Sequence, residues 1–216
     1  MHTVKHVPTS GADGQLNRRR IIVLISGSGT NLQAILDACH DGRLYSEVVL
    51  VVSNRKSAFG LVRATNAGIP TLYFPLKAYR DTGRTREDYE VELANRLSSY
   101  EPDLIVLAGW MHVFCAAFLV PFANKVINLH PALPDTFPGT DAIERAYESW
   151  TAGRIAYTGC MVHHVVPQVD AGPVIAQSIV SFEENESLSD FAARMHQAEH
   201  ELIVEATRKA LVAIER

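Results

Sequence analysis

The sequence alternates between short, nearly unbroken runs of Val, Ile and Leu and stretches in which apolar residues recur at helical spacing. The run "RIIVLISG" ends at a glycine-rich loop, "NLQAILDAC" has helical spacing, and "EVVLVVSN" is a second apolar run. Strands without alternating apolar and polar residues are buried on both faces, as in parallel sheets that helices cover on both sides. This order of segments predicts an α/β fold with a doubly wound, mostly parallel sheet.

The alternation continues as far as the apolar run "KVINLH" and changes from about Ala156 onward. There, "AYTGCMVHHVV" and "GPVIAQSIVSF" indicate two strands with only a short turn between them. Such closely spaced strands pair in the antiparallel sense, because a parallel pair needs a long crossover. A helix is predicted from about Ser187 onward. We therefore expect a Rossmann-like fold with an antiparallel C-terminal strand pair and a long C-terminal helix.

Length and composition predict one folded domain. The chain has 216 residues, of which 47% are hydrophobic and 20% charged, and this is enough for one sizeable core. We expect residues 18–216 to form this single domain. Residues 1–17, "MHTVKHVPTSGADGQLN", mix Gly, Pro, Ser and Asp without periodicity and are expected to be a flexible leader.

Charge and cysteine content disfavour several functional classes. A net charge of −4 and a pI near 6.1 give no overall field that would attract nucleic acid or an anionic membrane. The three cysteines lack a CxxC pattern, so neither a disulfide framework nor a zinc site is indicated. No apolar run approaches the ~20 residues that span a bilayer, and no signal-peptide core is present. We expect a cytoplasmic protein without nucleic-acid or membrane partners.

The loop "SGSGTN", residues 26–31, joins the first predicted strand to the first predicted helix. Its glycines permit a tight turn and close approach of a ligand, and the N–H groups of the following helix start form an anion site. A phosphate is the expected ligand. The spacing matches neither G-x-G-x-x-G nor the P-loop, which disfavours dinucleotide and ATP binding. The alternative is a plain turn in which Thr30 or Asn31 caps the helix.

Two polar side chains, Asn128 and His130, end the apolar run "KVINLH". Ligands of open α/β sheets bind beyond the carboxyl ends of the strands, where these residues are expected to lie. Residues i and i+2 of a strand point to the same side, so the amide and the imidazole can face one substrate while Leu129 packs on the other side. A lone histidine here would more simply be bonded to a loop, but the asparagine and the following proline-rich loop favour a functional site.

Asp170 precedes an Ala-Gly-Pro turn in "VVPQVDAGPVI". The simplest interpretation is a turn aspartate. As a partner of His130, its carboxylate would favour the imidazolium and make His130 a proton donor near neutral pH.

Four further histidines are weaker candidates. His163 and His164 are adjacent on a predicted strand and point to opposite faces, so at most one of them can reach the site. His196 and His200 have the i, i+4 spacing of a helical metal pair, but the intervening Gln-Ala-Glu does not match a zincin motif. No metal site is predicted.

Three motifs in one order, SGSGTNL, NLHPALPDTFPG and VDAGPVI, resemble those of the folate-dependent formyltransferases. The similarity runs from about Arg20 to the final helix and includes "SNRKSAFGLVRATNAGIP", "PDLIVLAGWM" and "QAEHELI". It is closest to the branch that acts on glycinamide ribonucleotide. The resemblance implies transfer of the formyl group of 10-formyltetrahydrofolate to the amine of glycinamide ribonucleotide in de novo purine (IMP) biosynthesis, by a monomer or homodimer and without a metal.

The resemblance also implies roles for individual residues. The implied catalytic residues are Asn128, His130 and Asp170. The implied ribonucleotide contacts are Gly29, Thr30, Asn31 and Glu199. The implied folate contacts are Arg86, Met111, His112, Val113, Phe114, Asn128, Val166, Pro167, Gln168, Val169 and Asp170. The chain departs from the family pattern at His112, where arginine is common, and in "LPDTFPG", where Leu-Leu-Pro is commoner.

Three other functions share parts of this pattern. Methionyl-tRNA formyltransferase adds a C-terminal domain, for which a chain ending at Arg216 is not expected to have room. Formyltetrahydrofolate deformylase has a regulatory domain before the catalytic part, and residues 1–17 are not expected to form one. A non-catalytic nucleotide-binding module would need the glycine loop but not Asn128, His130 and Asp170.

Overall fold

The computed structural model describes residues 18–214, so the leader predicted at residues 1–17 lies outside the described part of the chain. The strands are β1 (Arg19–Ile25), β2 (Ser46–Ser53), β3 (Thr71–Tyr73), β4 (Leu104–Leu107), β5 (Val126–His130), β6 (Tyr157–His164) and β7 (Val174–Ser181). They form one seven-stranded sheet in the order β3-β2-β1-β4-β5-β6-β7. Strands β1 to β5 pair parallel, whereas β6 is antiparallel to both β5 and β7. The predicted Rossmann-like sheet with an antiparallel extension is confirmed.

The helices of the described residues are α1 (Thr30–His40), α2 (Phe59–Asn66), α3 (Leu76–Asp81), α4 (Arg86–Ser98), α5 (Ala116–Leu119), α6 (Ala142–Thr151) and α7 (Leu188–Ile214), with a 3-10 turn at Val120–Phe122. The long C-terminal helix predicted from Ser187 is present as α7. Sequence analysis assigned neither α3 nor α6. Helix α3 has only six residues, too few to show a helical period, and α6 follows the proline-rich segment after β5.

Strand β1 shows how the sheet is buried on both faces. Its residues Ile21, Ile22, Val23, Leu24 and Ile25 are all 0% exposed. The odd-numbered residues belong to a core shared with α1 and α7, and the even-numbered residues to a core shared with α3 and α4. Successive side chains of a strand point to opposite faces, so one apolar run contributes to both cores. The burial predicted from the unbroken apolar pattern is confirmed.

Helix α7 is the longest helix, at 27 residues. Its buried side includes Phe191, Met195, Leu202 and Ile203, which belong to the same core as α1 and one face of β6 and β7. Helix α7 therefore covers the antiparallel end of the sheet. Across residues 18–214, no helix has both the length and the apolar character that a bilayer crossing requires.

The loop after β1 and the start of α2 meet at two glycines. Gly29 has a φ of 71°, in the left-handed region that favours glycine. A Cβ at Gly29 would lie 2.6 Å from the Cα of Gly60, a backbone atom that cannot move aside alone. The N–H of Gly60 donates to the carbonyl of Gly27 at 3.1 Å, which holds the two segments together. These two contacts therefore fix the conformation of the loop where it joins α1.

We expect Gly29→Ala to lower the free energy of unfolding by about 2 kcal/mol or more, because it adds both left-handed strain and a backbone clash. Gly27→Ala is the matched control, since no described atom lies within 4 Å of a Cβ at Gly27. Both variants lose the same chain entropy in the unfolded state. Urea unfolding followed by circular dichroism gives both values, and an equal effect of the two substitutions would contradict the close-contact argument.

Candidate active site

A cleft of about 700 Å³ lies at the carboxyl ends of β1, β4 and β5. The strand order reverses between β1 and β4, so the connections that leave these two strands diverge and open a crevice. The predicted site residues in its wall are Gly29, Thr30, Asn31, Met111, His112, Val113, Phe114, Asn128, His130, Val166, Gln168, Val169, Asp170 and Glu199. Of the predicted site residues, which all lie within 18–214, Arg86 and Pro167 are outside this wall.

The glycine loop forms one end of the cleft. Gly29 is the N-cap residue of α1, so the alternative in which Thr30 or Asn31 caps the helix is not observed. Thr30 and Asn31 instead form the first turn, whose N–H groups have no acceptor within a helix and carry partial positive charge. The side chain of Arg63 on α2 supports the loop, because its Nε donates to the carbonyl of Ser28 at 2.9 Å. The geometry suits an anion such as a phosphate.

The carboxylate of Asp170 lies next to the polar end of β5. Nδ2 of Asn128 donates to Oδ1 of Asp170 at 3.3 Å, and Nδ1 of His130 lies 3.4 Å from Oδ2. The backbone N–H of Gly139 also donates to Oδ2, at 2.9 Å. Leu129 packs into the core on the opposite face, as the i, i+2 argument predicts. The structure thus brings together the three side chains predicted to be catalytic.

A fourth side chain, His163, completes this cluster. It lies opposite Asn128 in the β5–β6 ladder, and directly opposed residues point to the same face. Its Nε2 is 3.2 Å from Nδ2 of Asn128 and 3.6 Å from Oδ1 of Asp170. Its Nδ1 is 2.9 Å from the carbonyl of His164, which can only accept, so the neutral ring carries its proton on Nδ1 and accepts at Nε2. The sequence predicts only that at most one of His163 and His164 reaches the site, and the β5–β6 register, which is not visible in the sequence, selects His163.

Burial controls the protonation of His130. The side chain is only 4% exposed. Desolvation lowers the pKa of His130 below its ordinary value of 6.5, although Asp170 and the carbonyl of Phe137, 3.1 Å from Nε2, favour the charged form. The expectation that Asp170 makes His130 an imidazolium near neutral pH is therefore wrong for the resting site. The desolvation of the ring outweighs the attraction of one carboxylate.

Asp170 remains charged in the same surroundings. Burial alone would raise its pKa, but the neighbouring His163, the hydrogen bond from the N–H of Gly139 and the nearby His130 together bring the pKa of Asp170 below its ordinary value. The resting site at neutral pH therefore combines a carboxylate with a largely neutral imidazole.

Residues 111–114, here called the second wall, also line the cleft and have no regular secondary structure. Met111 and Val113 expose apolar side chains, at 59% and 45%, whereas Phe114 is buried and stacks on Phe118. The N–H of Met111 donates to the hydroxyl of Ser26 at 3.1 Å, which ties this wall to the loop after β1. The second wall therefore presents an apolar surface on a tethered backbone.

His112, the departure from the family pattern, also lies in the second wall. Its Nε2 is 3.0 Å from Nδ2 of Asn54. Burial lowers the pKa of His112, and the charge of Arg86 lowers it further. At neutral pH this position therefore carries no full positive charge, unlike an arginine.

The two predicted residues outside the cleft wall differ in position. Arg86 begins α4 and donates from Nε to Oε1 of Glu90 at 2.8 Å and from Nη2 to the carbonyl of Val113. Arg86 therefore contacts the backbone of the second wall without lining the cleft itself, and its side chain remains 44% exposed. Pro167 is exposed in the segment that leads to Asp170.

Helix α7 contributes Glu199 and His196 to the wall of the cleft. Nδ1 of His196 lies 2.7 Å from Oε2 of Glu199, and this hydrogen bond raises the pKa of His196. The sequence offers His196 only as half of an unfavoured zinc pair with His200, and its contact with Glu199 is seen only in the structure. Within residues 18–214, no group of three or more His, Cys, Asp or Glu side chains has the arrangement of a metal site.

A family model described as "Formyl transferase" matches residues 19–207. The chain belongs to the formyl transferase family. The family resemblance predicted from the three motifs is thereby confirmed.

Curated relatives and solved structures agree with this family. The chain is 45% identical over 202 residues to "Phosphoribosylglycinamide formyltransferase" of Schizosaccharomyces pombe, covering 88% of this chain and 96% of that protein. It is 40% identical over 185 residues to "Trifunctional purine biosynthetic protein adenosine-3" of Drosophila melanogaster, covering 85% of this chain and 13% of that longer protein. The crystal structure of glycinamide ribonucleotide transformylase 1 from Symbiobacterium toebii superposes with a TM-score of 0.82 at 41% identity, covering 90% of this chain and 88% of the other.

The balance of effects on His130 can be tested by histidine NMR. We expect its ring to titrate below 6.5 in the unmodified protein, so that it becomes protonated only as the pH falls below that value. Asp170→Asn should lower the pKa of His130 further, because the carboxylate is the largest influence that raises it. Asp37→Asn, on the exposed side of α1, is the control and should leave the titration unchanged. An unchanged or higher midpoint in Asp170→Asn would show that Asp170 does not act on the ring.

Proposed function

We propose that this formyl transferase moves the formyl group of 10-formyltetrahydrofolate to the amine of glycinamide ribonucleotide, a step of de novo purine (IMP) biosynthesis. The observation that carries the proposal is the convergence of Asn128, His130 and Asp170 in a cleft that the glycine loop and the apolar second wall also line. The names of the relatives in Schizosaccharomyces pombe and Drosophila melanogaster point to the same substrate and pathway.

Each end of the cleft suits one substrate. In the proposal, Gly29, Thr30 and Asn31 receive the ribonucleotide phosphate, and the carboxylate of Glu199 accepts hydrogen bonds from hydroxyl groups of the same substrate. The folate lies along the second wall and the segment 166–170, where apolar side chains face the cleft. The formyl carbon then lies between the two substrates, beside the polar end of β5.

The reaction needs few protein groups. The amine nitrogen attacks the formyl carbon, the carbonyl oxygen becomes an oxyanion, and the bond from carbon to the folate nitrogen breaks as that nitrogen gains a proton. We assign Asn128 and His130 to stabilise the oxyanion, and His130 to protonate the leaving nitrogen as general acid. The neutral His130 ring receives the proton of the amine, relayed through water by Asp170, and Asp170 then holds the imidazolium until its proton passes to the folate nitrogen. The proposal requires no metal.

Asn128 must change partners to take this role. In the resting site its amide nitrogen, which carries two hydrogens, contacts both Asp170 and Nε2 of His163. Donation to the formyl oxygen therefore requires release of one of these hydrogens.

We also propose the partners, the compartment and the oligomeric state of the enzyme. The substrates are small molecules, and neither nucleic acid nor membrane is required. Cys39, Cys115 and Cys160 are free thiols, which fits a reducing compartment, so we place the enzyme in the cytoplasm. We propose that it acts as a monomer or homodimer.

Loss of formyl-folate, followed with and without glycinamide ribonucleotide, tests the activity directly. We expect His130→Ala to lower the rate by about 10²- to 10³-fold, the usual cost of losing one oxyanion-stabilising group. Asp170→Asn should also lower the rate, because the imidazolium loses its charged partner. His40→Ala is a matched control, because His40 is exposed at the end of α1. Near-normal transfer by folded His130→Ala would contradict the mechanism. Ribonucleotide binding by calorimetry without any transfer would instead indicate a nucleotide-binding module.

A further inference from the structure

Helix α4 carries a buried carboxylate, Glu90, to which the proposed reaction assigns no role. Its side chain is 0% exposed. Oε1 accepts a hydrogen bond from Nε of Arg86 at 2.8 Å, and Oε2 accepts one from the backbone N–H of Cys115 at 2.7 Å. A carboxylate at this depth needs such partners, because an uncompensated buried charge is strongly unfavourable. These two bonds therefore determine how Glu90 and its neighbours are arranged.

Both bonds lead to the second wall. Its backbone is held at three points: the N–H of Met111 is bonded to the loop after β1, the carbonyl of Val113 accepts from Arg86, and the N–H of Cys115, the next residue, donates to Glu90. Glu90 makes the third bond itself and orients the guanidinium that makes the second. Two of the three attachments of the second wall therefore depend on one carboxylate.

We propose that Glu90 is a positioning residue for the formyl-folate half of the cleft, where it holds Arg86 and the second wall in the shape that receives the folate. The inference rests on the proposed function, which assigns this wall to the folate. Glu90 acts through these neighbours and does not itself contact the substrate.

The exposed apolar side chains explain why this wall needs a fixed backbone. Met111 and Val113 face the cleft on a segment without the hydrogen-bond ladder of a helix or strand. An untethered segment of this kind would lower its free energy by folding its apolar side chains away from water. Attachment at Val113 and Cys115 prevents this collapse and keeps the apolar surface available for a ring system.

The surroundings of Glu90 are consistent with a fixed structural charge. Burial and the Glu90 carboxylate raise the pKa of the Cys115 thiol, so the thiol stays protonated and adds no second negative charge. Arg86 uses Nε–H and one Nη2 hydrogen for Glu90 and Val113, which leaves three of its five N–H donors for a bound carboxylate. Support of the wall and contact with the folate are therefore compatible in Arg86.

Glu90→Gln tests the proposal in the full-length enzyme. The amide has one acceptor oxygen and one donor nitrogen, so it cannot accept from both Arg86 and the N–H of Cys115. We expect KM for the formyl-folate to rise about tenfold, the scale of one lost hydrogen bond to a charged group. The value of kcat and KM for glycinamide ribonucleotide should stay within about twofold, since the glycine loop and Glu199 are unaffected.

Glu92→Gln is the matched control, because Glu92 lies on the same helix but pairs with Arg84 and Arg96 at the surface. It should change neither KM. If Glu90→Gln does not fold, Glu90→Asp replaces it, since the shorter carboxylate keeps the charge but cannot span both donors. An unchanged KM for the folate in a folded variant, or an equal rise in both KM values, would overturn the proposal, because a general loss of stability does not distinguish the substrates.

A binding measurement separates this inference from the proposed function. Calorimetry with a folate analogue that lacks the transferable formyl group reports the folate half of the cleft without any reaction. If the unmodified protein binds the analogue but transfers no formyl group, the proposed function fails, and a tenfold weaker affinity of Glu90→Gln still supports the role of Glu90. Equal affinities of the two proteins would contradict that role whatever the activity.

Discussion

Strand β5 pairs parallel with β4 on one side and antiparallel with β6 on the other, and the cleft depends on this change of direction. The parallel pairing places the end of β5 near the ends of β1 and β4, where the glycine loop and the second wall leave the sheet. The antiparallel pairing sets His163 opposite Asn128 and returns the chain so that Asp170 reaches both. In a purely parallel sheet no later strand would run against β5, so His163 and Asp170 would not be placed beside Asn128 in this way.

Two carboxylates, Asp170 and Glu90, position the groups at this edge of the sheet in different ways. Asp170 contacts Asn128, His130, His163 and the N–H of Gly139, so any movement of one partner leaves a charged group less well compensated. Its φ of 51° is a further constraint, which a loop tolerates only where other interactions hold it. Glu90 plays the corresponding part for the backbone of the second wall. Charges that are costly to bury thus fix the loops at Asp170 and Gly139 and the second wall, which no regular secondary structure holds.

Most of the fold could be predicted from the sequence because its signals are local. Unbroken apolar runs separated by helical spacing are enough to indicate a parallel sheet, and the i, i+2 spacing of Asn128 and His130 places both on one face. Contacts between distant elements could not be predicted in this way. His163 is identified only by the register of β6, and Glu90 only by the packing of α4 against Cys115. The prediction that His130 is charged near neutral pH failed for a related reason. The sequence indicates its charged partner, Asp170, but not the burial of the ring.

The lowered pKa of His130 changes how the proposed chemistry should be understood. Formyl transfer moves one proton from the attacking amine to the leaving folate nitrogen and takes up none overall. A histidine held as a permanent imidazolium would have no free site for the proton of the amine, and its charge would have to be maintained throughout. A ring kept neutral by burial can accept that proton as the oxyanion develops, because the new negative charge and Asp170 then both favour the imidazolium. Desolvation and the fixed carboxylate oppose one another at rest, and the transition state shifts this balance toward the charged ring.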